Sequence, residues 1–298
     1  MTRRGWVLFL ALGIIWGIPY LFIRLAVREL DPVVLAFGRT VIGSLILLPL
    51  ALRARGLRPL LRRWKPLLAY TVAEIVGPWV LLGHAETRLN SSTTGLLIAT
   101  VPIAAAVLVT VLGHDRLDAR RVAGLLVGFC GVGLLVGLDF RPTDLTAVLE
   151  VLLVVIGYAV GPIIITRFLA DLPSIGVVTG SLVVSAVVYA PFALPRWPAS
   201  VSPVAIGSVV VLAVVCTATA FLVMFALIAE AGPARTSLIT YVNPIVAVVL
   251  GALVLHEPIT IGLAVGFPLI VAGSVLGTWR NRAAAPAAVP GEEPSEVR

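Results

Sequence analysis

Glu74 is the least expected residue in this sequence, because it stands inside an apolar run long enough to cross a membrane. It lies about eight residues into that run, roughly 12 Å from its start at 1.5 Å per residue. A charge near the centre of such a helix costs about 2.5–3.5 kcal/mol on insertion scales, so it is expected to face a cavity or a partner. There a carboxylate can meet an amino group, or take up a proton once burial favours its neutral form. The structural alternative is a buried partner to a basic side chain or a backbone donor. Arg39 stands in the preceding run, about 20 Å from the end that Arg53 closes, which leaves roughly 8 Å of depth between it and Glu74. That is too far for a direct ion pair unless a helix tilts or the arginine bends inward. Arg39 is also near enough to the outer surface to snorkel.

Aromatic and proline residues add to this set. Trp16 and Tyr20 are one turn apart and share a helix face. A shift of 142 residues carries Trp16 onto Tyr158. Aromatics at matched depth on related helices are expected to face one another across a cavity, giving apolar bulk with a few polar handles, although ordinary interhelical packing would use them too. Pro102 and Pro244, related by the same shift, each interrupt a helix and free a carbonyl one turn earlier. Thr100, Thr240, Tyr241 and Asn243 lie beside them, able to satisfy that backbone or hold a polar ligand. The residues expected to touch a substrate are therefore Trp16, Tyr20, Glu74, Tyr158, Tyr241 and Asn243. Arg39, Pro102 and Pro244 are expected to gate or to break helices.

The elements that must position them follow from composition. Of 298 residues, 59% are hydrophobic and 12% charged, and mean hydropathy is +1.08. A soluble domain carries about 25% charged residues, so lipid must be the solvent for most of this chain. Apolar windows long enough for about 30 Å of hydrocarbon run over 5–23, 33–52, 66–83, 93–112, 119–138, 147–166, 175–194, 204–226, 235–255 and 260–279. The net charge of +7 is not a nucleic-acid signal: no basic face is interleaved with aromatics. Arg53, Arg55, Arg58, Arg62, Arg63 and Lys65 crowd one loop, and Arg116, Arg120 and Arg121 another, while alternate loops carry few. This positive-inside bias predicts both termini in the cytoplasm of a multi-pass protein of the cell (inner) membrane.

The 142-residue shift is a whole-chain repeat. It places Gly38 on Gly180, Pro49 on Pro191, His114 on His256, Asp115 on Glu257, Gly124 on Gly266 and Gly131 on Gly273. Five spans per copy is an odd number, so the second copy must enter the membrane from the opposite side. The expected fold is an all-α integral membrane protein of ten transmembrane helices, arranged as two inverted five-helix repeats at 5–138 and 147–279. Gly124, Gly128, Gly131 and Gly133 of the fifth span, with Gly262, Gly266 and Gly273 of the tenth, read as close-packing surfaces. Residues 281–298, rich in Ala, Pro and Glu, read as a disordered cytoplasmic tail.

These residues resemble the EamA family of the drug/metabolite transporter superfamily. The resemblance rests on "WGIPYLFIRLA", "DPVVLAFGRTVIGSLILL" and the two blocks that begin "STTGLLIATVPIAAAVLV" and "ARTSLITYVNPIVAVVLG". Each block has small residues, a proline within the helix, an acidic residue closing it and a Gly-rich final span. Where the family commonly has Gly-Glu, this chain has His114-Asp115 and His256-Glu257. The resemblance implies a secondary transporter, an exporter of amino acids or related small metabolites, with the first four helices of each half around a cavity. It also implies that Arg39 packs the second helix or closes an outer gate.

No GxSxG, phosphate loop, Walker lysine or paired catalytic carboxylates occur, and the three histidines lack metal-ligand spacing. No catalytic residue, metal or cofactor is expected. The expected partners are a small-molecule substrate and the lipid bilayer, not nucleic acid; oligomeric state does not follow from the residues. The competing function is an integral-membrane enzyme acting on a lipid or prenyl carrier. It would need a cluster of acid, base or metal ligands at the membrane surface, and the loops are short and poor in these.

Overall fold

The computed structural model describes residues 1–112, 119–139 and 144–278, and every regular element among them is helical. His114, Asp115 and Arg116, Arg141, and the tail 281–298 lie outside the described residues. Among the described residues nine helices are long and apolar enough to cross a membrane: α1 Arg3–Ala26, α2 Pro32–Arg53, α3 Arg58–Ala85, α4 Ser91–Val111, α5 Ala119–Leu138, α6 Leu145–Leu169, α7 Ser174–Arg196, α8 Pro203–Ala231 and α9 Ser237–Val254. A shorter apolar helix, α10 Ile261–Gly277, follows. In hydrocarbon every backbone N–H and C=O must be satisfied within the protein, which is why apolar runs of this length become helices.

Packing between helices follows the repeat. α2 lies against α7, α3 against α6, α1 against α8, α4 against α9, and α5 against α10. The last pair meets through bare backbone. A Cβ on Gly273 would lie 2.6 Å from Gly128 Cα and 2.7 Å from Gly124 O. Glycine permits that approach because it adds no side chain between the axes. Gly133 differs from the expected packing surface: a Cβ there meets nothing within 4 Å, because it lies on the face of α5 turned away from α10.

Several helices are interrupted, and the interruptions have identifiable causes. α1 breaks at Ile18, and Pro19 opens its second segment, Pro19–Ala26. α4 breaks after Ile98 and resumes at Val101 with Pro102 in the first turn. The carbonyl of Ala99 at that break accepts from Ser274 Oγ of α10 at 2.8 Å. α9 begins with the tight turns of Ser237–Tyr241 and continues as Asn243–Val254, again with Pro244 at its start. Wide π-helical turns occupy Val72–Val76 of α3 and Val214–Thr219 of α8. Their first residues are related by the 142-residue shift, and such turns recur at functional sites.

Candidate functional site

The π turn of α3 carries Glu74 and that of α8 carries Cys216 and Thr217, so each bulge turns polar atoms towards the interior. The carboxylate of Glu74 rests on the backbone of α6, where a Cβ on Gly161 would fall onto Oε2. Gly157, one turn earlier, similarly makes room for the carbonyl of Ala73. Glu74 Oε2 is buried without a hydrogen-bond partner among the described residues. The carbonyls loosened by the bulge are claimed by α7, whose Tyr189 hydroxyl sits 3.0 Å from Ile75 O and 2.9 Å from Val76 O.

Arg39 does not snorkel. It is 9% exposed, and its guanidinium lies 3.6 Å over the ring of Trp79 in α3. Its Nε donates to Thr217 Oγ1 at 2.8 Å, while that hydroxyl donates to Leu212 O at 2.8 Å inside the π turn of α8. A long polar side chain turns inward when the interior offers an acceptor and an aromatic face, and both are present. Tyr20 of α1 and Tyr158 of α6 lie within electrostatic reach of Arg39, and Tyr158 also of Glu74. Tyr158 of α6 therefore lies between Arg39 of α2, with Tyr20 of α1 beside it, and Glu74 of α3; among the described residues Arg39 and Glu74 form no ion pair.

The other expected residues stand apart from this group. Trp16 makes an edge-to-face contact with Phe221 of α8 at 6.2 Å and packs on the Phe9, Leu12 and Leu227 cluster; it has no ring contact with Tyr158 among the described residues. Tyr241 donates to Ser274 O at 3.1 Å, fastening α9 to α10. The Asn243 amide nitrogen, in the orientation that satisfies its neighbours, donates to Gly13 O and Ile239 O, both at 3.0 Å. It thus ties the break in α9 to α1. Pro102 and Pro244 sit at the helix interruptions described above. Trp79 and Thr217 were not singled out from the sequence; an indole one bulged turn beyond Glu74 was the only signal.

A second polar group gathers at the end of the helices where α3 meets α4. Glu257 accepts from Ser91 N at 2.8 Å, Ser92 N at 3.0 Å and Ser92 Oγ at 2.5 Å. It thereby caps the N-terminus of α4 with a charge that suits the helix dipole. His256 before it has φ 55°, a left-handed backbone that glycine adopts freely, which gives a physical reason for the Gly-Glu common in the family. Its repeat counterpart Asp115 lies outside the described residues. At the same end Glu29 accepts from Ser202 N and Oγ at 2.9 and 2.7 Å, contacts that hold its carboxyl below the usual range. His84 meets Glu150 at 2.8 Å. A cavity of about 170 Å³ opens here between Arg88, Asn90, Ser92 and Pro258.

Glu86, just past the end of α3, is the anomaly of this group. It is 0% exposed, and neither carboxylate oxygen has a hydrogen-bond partner among the described residues. Arg24 of α1 donates to its backbone carbonyl instead. Burial pushes the Glu86 carboxyl well above its ordinary 4.5; Arg24 opposes this and Glu257 adds to it, while Tyr20 faces it from α1. A carboxyl raised in the folded state contributes stability in full below about pH 4.5 and loses it as pH rises towards the folded value. Glu86→Gln should therefore match wild type in acid and exceed its melting temperature by a few degrees at neutral pH. Melting curves across pH test this. A Gln variant less stable than wild type at neutral pH would show that Glu86 is instead the charged partner of Arg24.

Among the described residues no group of three His, Cys, Asp or Glu is placed to hold a metal ion. The profile of the EamA-like transporter family matches the chain twice, over residues 3–137 and 145–279. The chain belongs to that family. An uncharacterized transporter of Bacillus subtilis, YvbV, is 27% identical over 97% of this chain and 95% of its own length. An uncharacterized transporter of Archaeoglobus fulgidus is 25% identical over 94% of this chain and 99% of its own. A crystal structure at 20% identity superposes with a TM-score of 0.66 over 93% of this chain and 97% of that one, which is a likeness of fold. Family and helices together make this EamA-like protein a multi-pass membrane transporter.

Proposed function

We propose that this EamA-like protein is a secondary exporter of amino acids or related small metabolites that works by alternating access between two inverted five-helix halves, 5–138 and 147–279. The observation that carries the reading is the polar group around Arg39, Trp79, Tyr158 and Glu74, buried where helices of both halves meet. Such transporters hold substrates between repeats and rock one half against the other.

The inversion is supported by the α5–α10 contact. Gly124 corresponds to Gly266 under the repeat and Gly131 to Gly273. In the fold, Gly124 meets Gly273 and Gly131 meets Gly266. That exchange is what a two-fold axis relating the halves demands. The basic loops support cytoplasmic termini in the cell membrane. Substrate contacts are assigned to Tyr20, Glu74 and Tyr158 in the central group, and to Trp16, Tyr241 and Asn243, which stand apart from it; Arg39, Pro102 and Pro244 are the residues that move or hinge.

Two experiments test the reading. Alkaline phosphatase fused after Trp279 should be inactive, and active phosphatase there would overturn cytoplasmic termini. Purified protein in proteoliposomes should transport at least one member of a panel of radiolabelled amino acids. Absence of flux across the whole panel would remove amino acids as the substrate class.

A further inference from the structure

Arg39 carries a permanent charge into a place where charge is costly, and the protein answers only part of that cost. A guanidinium offers five N–H donors. One, on Nε, goes to Thr217 Oγ1 at 2.8 Å. Stacking on Trp79 at 3.6 Å adds a cation–π attraction that strengthens when water is excluded. Effective penalties for burying an ion are several kcal/mol, so these two contacts leave a deficit. Among the described residues no carboxylate lies within ion-pair distance of Arg39. Tyr20, Tyr158, Tyr189 and Cys216 surround it, and all are neutral neighbours in their ordinary protonation states.

The geometry also says which part of the guanidinium is unused. The Trp79 ring fixes its plane, and Thr217, locked by its own bond to Leu212 O, fixes the Nε side. Among the described residues the Nη1–Nη2 edge has no hydrogen-bond partner, and two parallel N–H groups are the pattern that grips a carboxylate bidentately. Trp79, Thr217 and Arg39 come from α3, α8 and α2, so an anion seated there would touch both halves.

We infer that Arg39 is an anion subsite: its Nη1–Nη2 edge receives a carboxylate of the transported molecule, with Trp79 as backing and Thr217 as anchor. The inference rests on the transporter reading and narrows it, since the solute must carry a carboxylate and an amine alone is disfavoured. Arg39 then binds cargo as well as separating the inner and outer sides.

The test is ligand-induced stabilisation of the purified full chain, which reads binding independently of flux. The probes are each of the common amino acids, its deaminated carboxylate (for leucine, 4-methylpentanoate) and its decarboxylated amine (for leucine, 3-methylbutylamine), up to about 10 mM, above a Kd of roughly 1 mM. At least one carboxylate-bearing probe should raise the melting temperature by about 2–4 °C, and its matching amine should not. Arg39→Gln should weaken that probe by at least about tenfold, the value of a hydrogen bond to a charged group, and Arg39→Lys by less. If Arg39→Gln does not fold, Thr217→Val serves: it frees the Nε side and should weaken the same probe severalfold. Stabilisation by the amine alone, stabilisation unchanged in the Arg39 and Thr217 variants, or no response to any carboxylate overturns the subsite. Flux separates the two readings: carboxylate binding without flux sinks the amino-acid export reading alone, and flux of a carboxylate-free solute untouched by Arg39→Lys sinks the subsite alone.

Discussion

Gly273→Leu is expected to remove most of the folded protein from the membrane. The atoms a new Cβ would strike are Gly128 N, Gly128 Cα at 2.6 Å and Gly124 O at 2.7 Å. All three are backbone, so no rotamer change can make room and the two helices must separate. Overpacking a core costs about 1–3 kcal/mol when side chains can yield; here they cannot, and about 3 kcal/mol or more is expected. The loss should spread, because Ser274 beside Gly273 holds both the broken carbonyl of α4 and the hydroxyl of Tyr241. Gly133→Leu, on the partner helix α5, is the control, since a Cβ there meets nothing within 4 Å. Yield and monodispersity after detergent extraction decide the matter. Wild-type behaviour of Gly273→Leu would mean that α5 and α10 do not approach as closely as described.

Much of the helical frame was legible because hydropathy alone forces it. Nine of the expected windows became helices of spanning length, and the tenth, 260–279, became the shorter α10 among the described residues. The proline interruptions were legible for an equally direct reason, the missing N–H of Pro102 and Pro244. The π turns at Val72–Val76 and Val214–Thr219 were not, because an extra residue in a turn changes no composition. That insertion moves everything beyond it around the helix, so a regular wheel through Glu74 misplaces Trp79. Without Trp79, nothing in the sequence told whether Arg39 turns inward or snorkels. Glu86 was not legible for a different reason: an acidic residue at a helix end is ordinarily a solvated one, whereas here it is fully buried with Arg24 of α1 on its carbonyl. Trp16 and Tyr158 share a repeat position yet have different neighbours, Phe221 for one and the Arg39 group for the other. A repeat in sequence fixes depth, and it does not fix which helix stands opposite.

The central carboxylate yields the second large effect. Glu74→Gln keeps the side chain's length and hydrogen-bonding capacity and removes its titratable charge. If that charge meets a substrate ammonium or a coupling proton, transport should fall by about tenfold or more, the factor carried by one hydrogen bond to a charged group, or lose its dependence on pH, while the protein remains folded. Neighbouring glycines separate the role of the carboxylate from that of the helix contact. Gly161→Ala places a methyl where Glu74 Oε2 now rests, and the end of a flexible side chain can swing away. This variant should fold and should lose transport in the direction of Glu74→Gln, because the carboxylate is present but displaced. Gly157→Ala strikes the carbonyl of Ala73 instead, a backbone atom of the π turn, and should lower the amount of folded protein before it changes any rate. Initial rates in proteoliposomes across pH, normalised to the protein incorporated, distinguish the three variants. A Gln variant with wild-type rates and pH profile would leave Glu74 as a polar packing residue on Gly161, and the α3 bulge as a device for fitting α3 against α6.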